Sequence, residues 1–235
     1  MSHWKLLPAI SASMSFQMAL DEVLFRSRER DYVEKEPLAD GHDGSLPPIL
    51  RFYFSDVPSI TVGYSYKEPL DEKRALAVRR ITGGGRVDHG RDLVFSLIAH
   101  KRHDESFRSV RVSYWKIHEA LKKGFETLGM TPRFYRCDES LPEGPECFRF
   151  PISSDLALGQ KKIAGGSQKR SAGTLLHQES IVVPKFTDGF QLAQAVKAGI
   201  QSVFKVSLED ASLEPEWFET AAKLSKEKYQ PLAQR

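Results

Sequence analysis

Cys147 lies in the segment Glu146-Cys147-Phe148-Arg149-Phe150-Pro151, one short stretch upstream of Lys162 in Gln160-Lys161-Lys162-Ile163-Ala164-Gly165-Gly166-Ser167-Gln168. A single tight turn between the two segments would bring a thiol against an ammonium. A neighbouring cation favours the thiolate, which is the nucleophilic form of cysteine. Cys147 also follows a loop rich in Pro, Glu and Gly, the kind of setting in which function concentrates. Both residues have quieter uses: a lone cysteine is most often a small buried hydrophobe, and a lysine is most often solvated. Cys137 closes an expected strand and is read as a packing residue.

A third element precedes these two. Thr82-Gly83-Gly84-Gly85-Arg86-Val87-Asp88-His89 places three glycines together, where each costs backbone entropy and none supports a helix or strand. Such a loop lets a ligand approach the backbone closely. It is not a phosphate loop, because no Lys-Ser or Lys-Thr follows, and it is not G-x-G-x-x-G. A flexible turn is the plain alternative. His177, in Leu175-Leu176-His177-Gln178-Glu179-Ser180, and His89 read on their own as satisfied core histidines. Asp21 and Glu22 read as a solvated helix face. Triads are recognised by geometry, and the sequence certifies none.

Positioning these groups requires a scaffold. Phe16, Leu20, Val23 and Leu24 recur at helical spacing, which predicts a helix over 15–28. Ile49–Phe54 and Ser59–Tyr64, joined by Ser55-Asp56-Val57-Pro58, predict a β-hairpin. A short helix is expected over 72–78, a buried strand over 93–100, and a helix over 112–128 with Tyr114, Ile117, Leu121 and Phe125 on one face. A short strand over 133–136 and a loop over 138–145 lead to Cys147. Strands are expected over 155–158, 162–164 and 175–183, and closing helices over 187–204 and 214–228, the last with Ser212 as cap and Pro215 in its first turn. Hairpins and helices mixed without regular alternation give an α+β class with a mixed, largely antiparallel sheet, in a single domain over 1–235.

Composition narrows the function. With 34 basic and 31 acidic residues, the net charge of +3 argues against bulk nucleic-acid binding. No apolar run is long enough to span a bilayer, and Met1-Ser2-His3-Trp4-Lys5 does not start a secretory signal. Two cysteines cannot build a structural zinc site unaided, and neither His-Glu-x-x-His nor Cys-x-x-Cys is present, so no metal is expected. A cytoplasmic protein with free thiols follows from this reading.

Together these segments resemble the lipoate-protein ligase and octanoyltransferase superfamily, a relative of the biotin protein ligases, from about Ser15 to Val183. Arg79-Arg80-Ile81-Thr82-Gly83-Gly84-Gly85-Arg86-Val87-Asp88-His89 is similar to its Arg-Arg-x-[Ser/Thr]-Gly-Gly-Gly-x-Val-x-His signature. Lys162 to Gln168 resembles its Lys-[Ile/Val]-x-Gly-[Ser/Asn]-Ala-Gln motif, and Leu176 to Ser180 resembles the histidine-containing strand after it. Phe16 to Glu22 and Ser59 to Tyr64 resemble the first helix and the strand before the loop. Their order and spacing, more than any one motif, carry the likeness.

The resemblance implies a biotin/lipoate protein ligase catalytic-domain fold with an acyl tunnel floored by the glycine loop. Arg80, Gly83, Gly84, Gly85, Arg86, Val87, Asp88, His89, Gly165 and His177 would bind the acyl group, with Cys147 and Lys162 catalytic and no cofactor. Cys147-Phe148-Arg149-Phe150-Pro151 is similar to the Cys-Phe-x-x-Pro segment of the cysteine-dependent octanoyltransferases. That implies transfer of octanoyl from an octanoyl acyl carrier protein, through a Cys147 thioester, to a lysine of a lipoyl domain such as the glycine cleavage H protein. A monomer is expected. An ATP-dependent lipoate-protein ligase, an amidotransferase between lipoyl domains, and a non-catalytic acyl-binding domain are the alternatives. The chain departs from the pattern at Gly166, where Ser or Asn is usual, at Ser167, where Ala is usual, and at Arg86, where a small residue is common.

Overall fold

The computed structural model describes residues 2–34, 46–68, 76–135 and 154–232. Cys147, Cys137 and the expected 138–145 loop lie outside the described residues.

The frame is a six-stranded mixed sheet. Its strands are β1 (Ser2–Ala12), β2 (Ile49–Ser55), β6 (Asp92–His100), β10 (Ala164–Ser171), β11 (Thr174–Val182) and β12 (Val206–Asp210), ordered β10-β11-β6-β2-β1-β12. β1 runs parallel to both β2 and β12, and the other pairings are antiparallel. β6 and most of β11 are buried on both faces, so they read as continuous apolar runs. β10 turns into β11 through Ala172 and Gly173, both at positive φ, the backbone that suits a two-residue hairpin.

Side-chain alternation divides the core in two. Leu50, Phe52, Phe95, Leu97 and Leu175 pack with Ile117, Leu121 and Phe125 of α2 (Val110–Thr127) and Leu192 and Val196 of α3 (Gly189–Phe204). Ile49, Tyr53, Val94, Ile98 and Leu176 pack instead with Met18, Leu20 and Leu24 of α1 (Met14–Glu34) and Ala221 of α4 (Pro215–Glu227). Helices therefore cover both faces. α1 begins where Ser13 Oγ accepts from the Phe16 N–H at 3.3 Å. α3 opens on an Asp188–Gln191 capping box.

Two small sheets flank the frame. β3 (Ser59–Val62) lies between β4 (Leu76–Arg79), which is parallel to it, and β5 (Arg86–His89), which is antiparallel. β7 (Arg133–Phe134), β8 (Leu156–Leu158) and β9 (Lys161–Lys162) form the other.

The mixed α+β class matches the expectation, and several local expectations are corrected. Residues 49–54 and 59–64 are not a hairpin. β2 enters the centre of the large sheet, where five of its residues are buried, whereas β3 belongs to the small one. The described part of 72–78 is strand β4, paired residue for residue with β3. Residues 2–12, with no expected structure, form β1. Its register shifts between Leu7 and Ile10, which accommodates Pro8 in an interior strand. Ser212 does not cap α4. Glu214 occupies the N-cap without a side-chain hydrogen bond, and Pro215 supplies the start. No helix among the described residues is long and apolar enough to cross a membrane.

Candidate functional site

The glycine loop is locked from inside by Arg80. Its guanidinium, buried beneath the loop, donates to the Gly83 carbonyl at 2.7 Å and the Gly85 carbonyl at 2.9 Å. It also donates to Thr61 Oγ1 at 3.2 Å. The loop backbone therefore lies on a fixed cation. Gly63, at the end of β3, meets the loop from below: a Cβ there would run into the Gly84 carbonyl oxygen. Gly84 itself has φ +85°, a conformation that glycine adopts without strain.

Beneath the loop is a cavity of about 320 Å³, counting its open mouth, between the β3–β5 sheet, α1 and the large sheet. Met18, Val87 and Val94 give it apolar walls, and Arg80, His89 and Thr61 stand at its polar side. Gly165 to Ser167 of β10 and Gln178 to Ser180 of β11 complete it. His89 is held between Asp92 Oδ2 at 2.7 Å and Thr61 Oγ1 at 2.8 Å. Asp92 also accepts from Ser180 Oγ at 2.7 Å. Burial alone would raise the Asp92 carboxyl, but His89 and Ser180 hold it below its usual range.

A buried carboxylate supports this cavity from the α1 side. Asp21 accepts from Arg51 at 2.6 Å, Ser96 at 2.6 Å, Gln178 at 2.6 Å and Tyr53 at 2.9 Å. Gln178 in turn accepts from Thr82 Oγ1 at 2.6 Å, and Thr82 accepts from Ser167 Oγ at 2.9 Å. The solvated face expected at Asp21 and Glu22 is thus wrong. Asp21 is fully buried, and Glu22 pairs with Lys228 and Tyr229. Their partners are remote in sequence, so the spacing on α1 could not reveal them.

On the opposite face of the sheet is a second polar cluster. His118 of α2 and His177 of β11 both reach Glu179 Oε2, at 3.2 and 2.8 Å. All three side chains are fully buried. Arg170 Nε donates to Gln168 Oε1 at 3.0 Å, so the Gln168 amide nitrogen faces His177 Nδ1 at 3.1 Å and donates to it. His177 is therefore neutral, with its proton on Nε2. Burial likewise pushes its pKa down. His118 faces only acceptors, the Ser154 carbonyl and the Glu179 carboxylate, so both of its nitrogens donate and it is an imidazolium. Burial opposes that charge, but Glu179 outweighs it and the His118 pKa is raised. Burial would raise Glu179 too, yet the His118 charge and the hydrogen bonds from both rings hold its pKa down to about 2.

Lys162 is likewise buried. Its Nζ lies 2.7 Å from Asp155 Oδ2, and Asp155 follows Ser154, the residue that His118 grips.

The expected acyl-binding residues are therefore distributed unevenly. Arg80, Val87, His89 and Gly165 line the cavity, and Gly83, Gly84 and Gly85 form the loop above it. Arg86 and Asp88 alternate to the outer face of β5 and pair with each other at 2.8 Å. His177 points to the α2 side, and Lys162 is not among the cavity-lining residues. Sequence reasoning misread Asp21 as solvated and passed over Arg51, Asp92, His118 and Glu179. A signal existed for two of them: His118 interrupts the apolar stripe of α2, and Glu179 ends a His-Gln-Glu run inside a buried strand.

Residues 13–210 match the family model described as the lipoyl protein ligase A/B catalytic domain. The octanoyltransferase LipM of Kyrpidia tusciae is 31% identical over 196 residues, covering 78% of this chain and 67% of that protein. The LipM of Bacillus subtilis is 31% identical over 194 residues, covering 77% of this chain and 65% of that protein. The matches thus span about two thirds of those relatives. Among solved structures, a lipoate-protein ligase A bound with ATP superposes with a TM-score of 0.73 at 21% identity, over 97% of this chain and 96% of that one. Ta0514 of T. acidophilum, described as a putative lipoate protein ligase, gives 0.73 at 22% identity, again over 97% and 96%. At those identities the superpositions speak to the fold. The family match and the shared architecture agree: the chain belongs to the lipoyl protein ligase A/B catalytic domain family.

Proposed function

We propose that this protein is an octanoyltransferase of lipoate biosynthesis. The observation that carries the reading is the combination of a glycine loop over an apolar-walled cavity with LipM relatives that match across it. The donor is an octanoyl acyl carrier protein. The Cys147 thiolate attacks its thioester carbonyl, the carrier thiolate leaves and takes up a proton, and an S-octanoyl enzyme remains. A neutral lysine amine on a lipoyl domain, such as the glycine cleavage H protein, then attacks that thioester. The Cys147 thiolate leaves, the amine gives up a proton, and an amide is formed. Lys162 supplies positive charge near the developing oxyanion, usually the largest electrostatic contribution in acyl transfer. The octyl chain lies against Met18, Val87 and Val94, below Gly83 to Gly85.

The test is intact-mass spectrometry after mixing the enzyme with octanoyl carrier protein. A mass gain of one octanoyl group on Cys147, absent in Cys147→Ser and discharged by an unmodified lipoyl domain, is expected. Activity of Cys147→Ala with lipoate and ATP, and no adduct in the wild type, would replace this reading with the ligase one.

A further inference from the structure

We propose that His118 is a positioning residue for acyl transfer: it staples the interior strand β11 to the segment that presents Asp155 and Lys162. The inference rests on the octanoyltransferase reading and adds a residue to it. His118 Nε2 donates to Glu179 of β11, and Nδ1 donates to the carbonyl of Ser154. The next residue, Asp155, holds the Lys162 ammonium at 2.7 Å, and its carbonyl accepts from the Tyr135 N–H at 2.7 Å. One helical side chain thus connects the interior of the large sheet to Ser154, the neighbour of the Asp155 that holds Lys162.

The double donation is what makes the staple specific. A neutral imidazole carries one N–H, so it would either leave the Ser154 carbonyl without this donor or reduce Glu179 to the single donor from His177. Burial opposes the charge on His118, but Glu179 from β11, Asp155 and the Ser154 carbonyl keep it, while His177 and the Tyr114 ring one turn earlier also face it. Gly166 makes room for this arrangement. A Cβ there would collide with Glu179 Oε2 and come within 2.8 Å of His177 Cε1 and 3.0 Å of Tyr114 Cε1. The chain's departure from Ser or Asn at 166 is therefore matched by a carboxylate and an imidazole occupying the same space. Removing the staple lets Ser154 and Asp155 shift, and the ammonium shifts with them.

The experiment compares wild type with His118→Gln, both in a Cys137→Ser background, with Lys122→Ala on the outer face of α2 as control. Three readouts are taken: octanoyl-transfer kinetics, the pH midpoint of Cys147 alkylation, and thermal melting. A folded His118→Gln is expected to lose about 10- to 100-fold in kcat, the usual cost of a small misplacement. KM for the acyl carrier protein should stay within about twofold, because donor docking is untouched. Under the octanoyltransferase reading, in which Lys162 favours the Cys147 thiolate, the alkylation midpoint should rise by about one pH unit. An unchanged kcat and midpoint in a folded variant overturns the proposal. If His118→Gln does not fold, ¹⁵N NMR of the wild-type imidazole rings decides. Two ring N–H groups on His118 at neutral pH, one coupled to the Ser154 carbonyl, support it, and a single one overturns it. If the wild type takes no octanoyl group, the functional reading fails by itself, while the alkylation and NMR results still judge the staple.

Discussion

Gln178 Nε2 donates to Asp21 Oδ2 at 2.6 Å across 157 residues of sequence, and Gln178 Oε1 accepts from Thr82 beneath the glycine loop. A carboxylate on the first helix therefore helps to set the position of the loop, through one amide that also lines the cavity. Asp21 receives four donors, one of them the buried Arg51 guanidinium. Asp21→Asn leaves Arg51 buried without its counter-charge. That change is expected to destabilise the protein by about 3–5 kcal/mol in urea unfolding, with Gln178→Ala milder.

Gly63→Ala should damage activity more than stability. The new methyl meets the Gly84 carbonyl oxygen directly, so the loop must lift away from Arg80 and the roof of the cavity is lost. Transfer rates are expected to fall by about 100-fold, in a protein whose far-ultraviolet circular dichroism is unchanged.

At Gly166 the balance reverses. Gly166→Ala pushes against His177, Glu179 and Tyr114 inside a packed core. It should cost about 1–3 kcal/mol by overpacking, measurable as a lower midpoint of chemical denaturation.

Lys162→Met removes a charge and takes the ammonium from the buried Asp155 carboxylate. Under the octanoyltransferase reading, kcat drops by about 10²- to 10³-fold. Adding Asp155→Asn to it should recover stability without recovering rate. Recovery of rate by that second change would argue against a catalytic lysine.

The pH dependence of stability follows from His118 and Glu179. Glu179 lies at about 2 in the folded protein against 4.5 ordinarily, so its contribution is complete above 4.5 and is lost as pH falls towards 2. His118 is raised above 6.5, so its contribution is complete below 6.5 and is lost as pH climbs through the folded value. Their joint contribution is greatest between about 4.5 and 6.5. Unfolding free energy measured across pH should show both limbs, and Glu179→Gln should flatten the acid one.

What the sequence disclosed follows the reach of its patterns. Periodicity located α1, α2, β6 and β11, because each carries a continuous or helically spaced apolar set. The glycine loop was legible because three adjacent glycines support neither helix nor strand, and a buried strand follows them. Strand partnership was not: nothing in Ser55 to Pro58 reveals that β2 and β3 join different sheets. Proline at position 8 concealed β1, since an interior strand tolerates it only at an irregularity. The buried carboxylates were hidden for a different reason. Asp21, Asp92 and Glu179 look solvated until partners from other elements fold onto them, and those partners lie as far away as residues 118 and 178. The outward turn of Arg86 and Asp88 was implicit in strand alternation once β5 was known to be a strand.

β1 lies between β2 and β12, and its contact from His3 to Ser207 joins positions 204 apart. β1 can complete its pairing only once Val206–Asp210 is available, beyond nearly every other element described. Closure of so long a loop is entropically slow. The β1–β12 margin of the sheet is therefore expected to zip late in folding, after the local hairpin of β10 and β11.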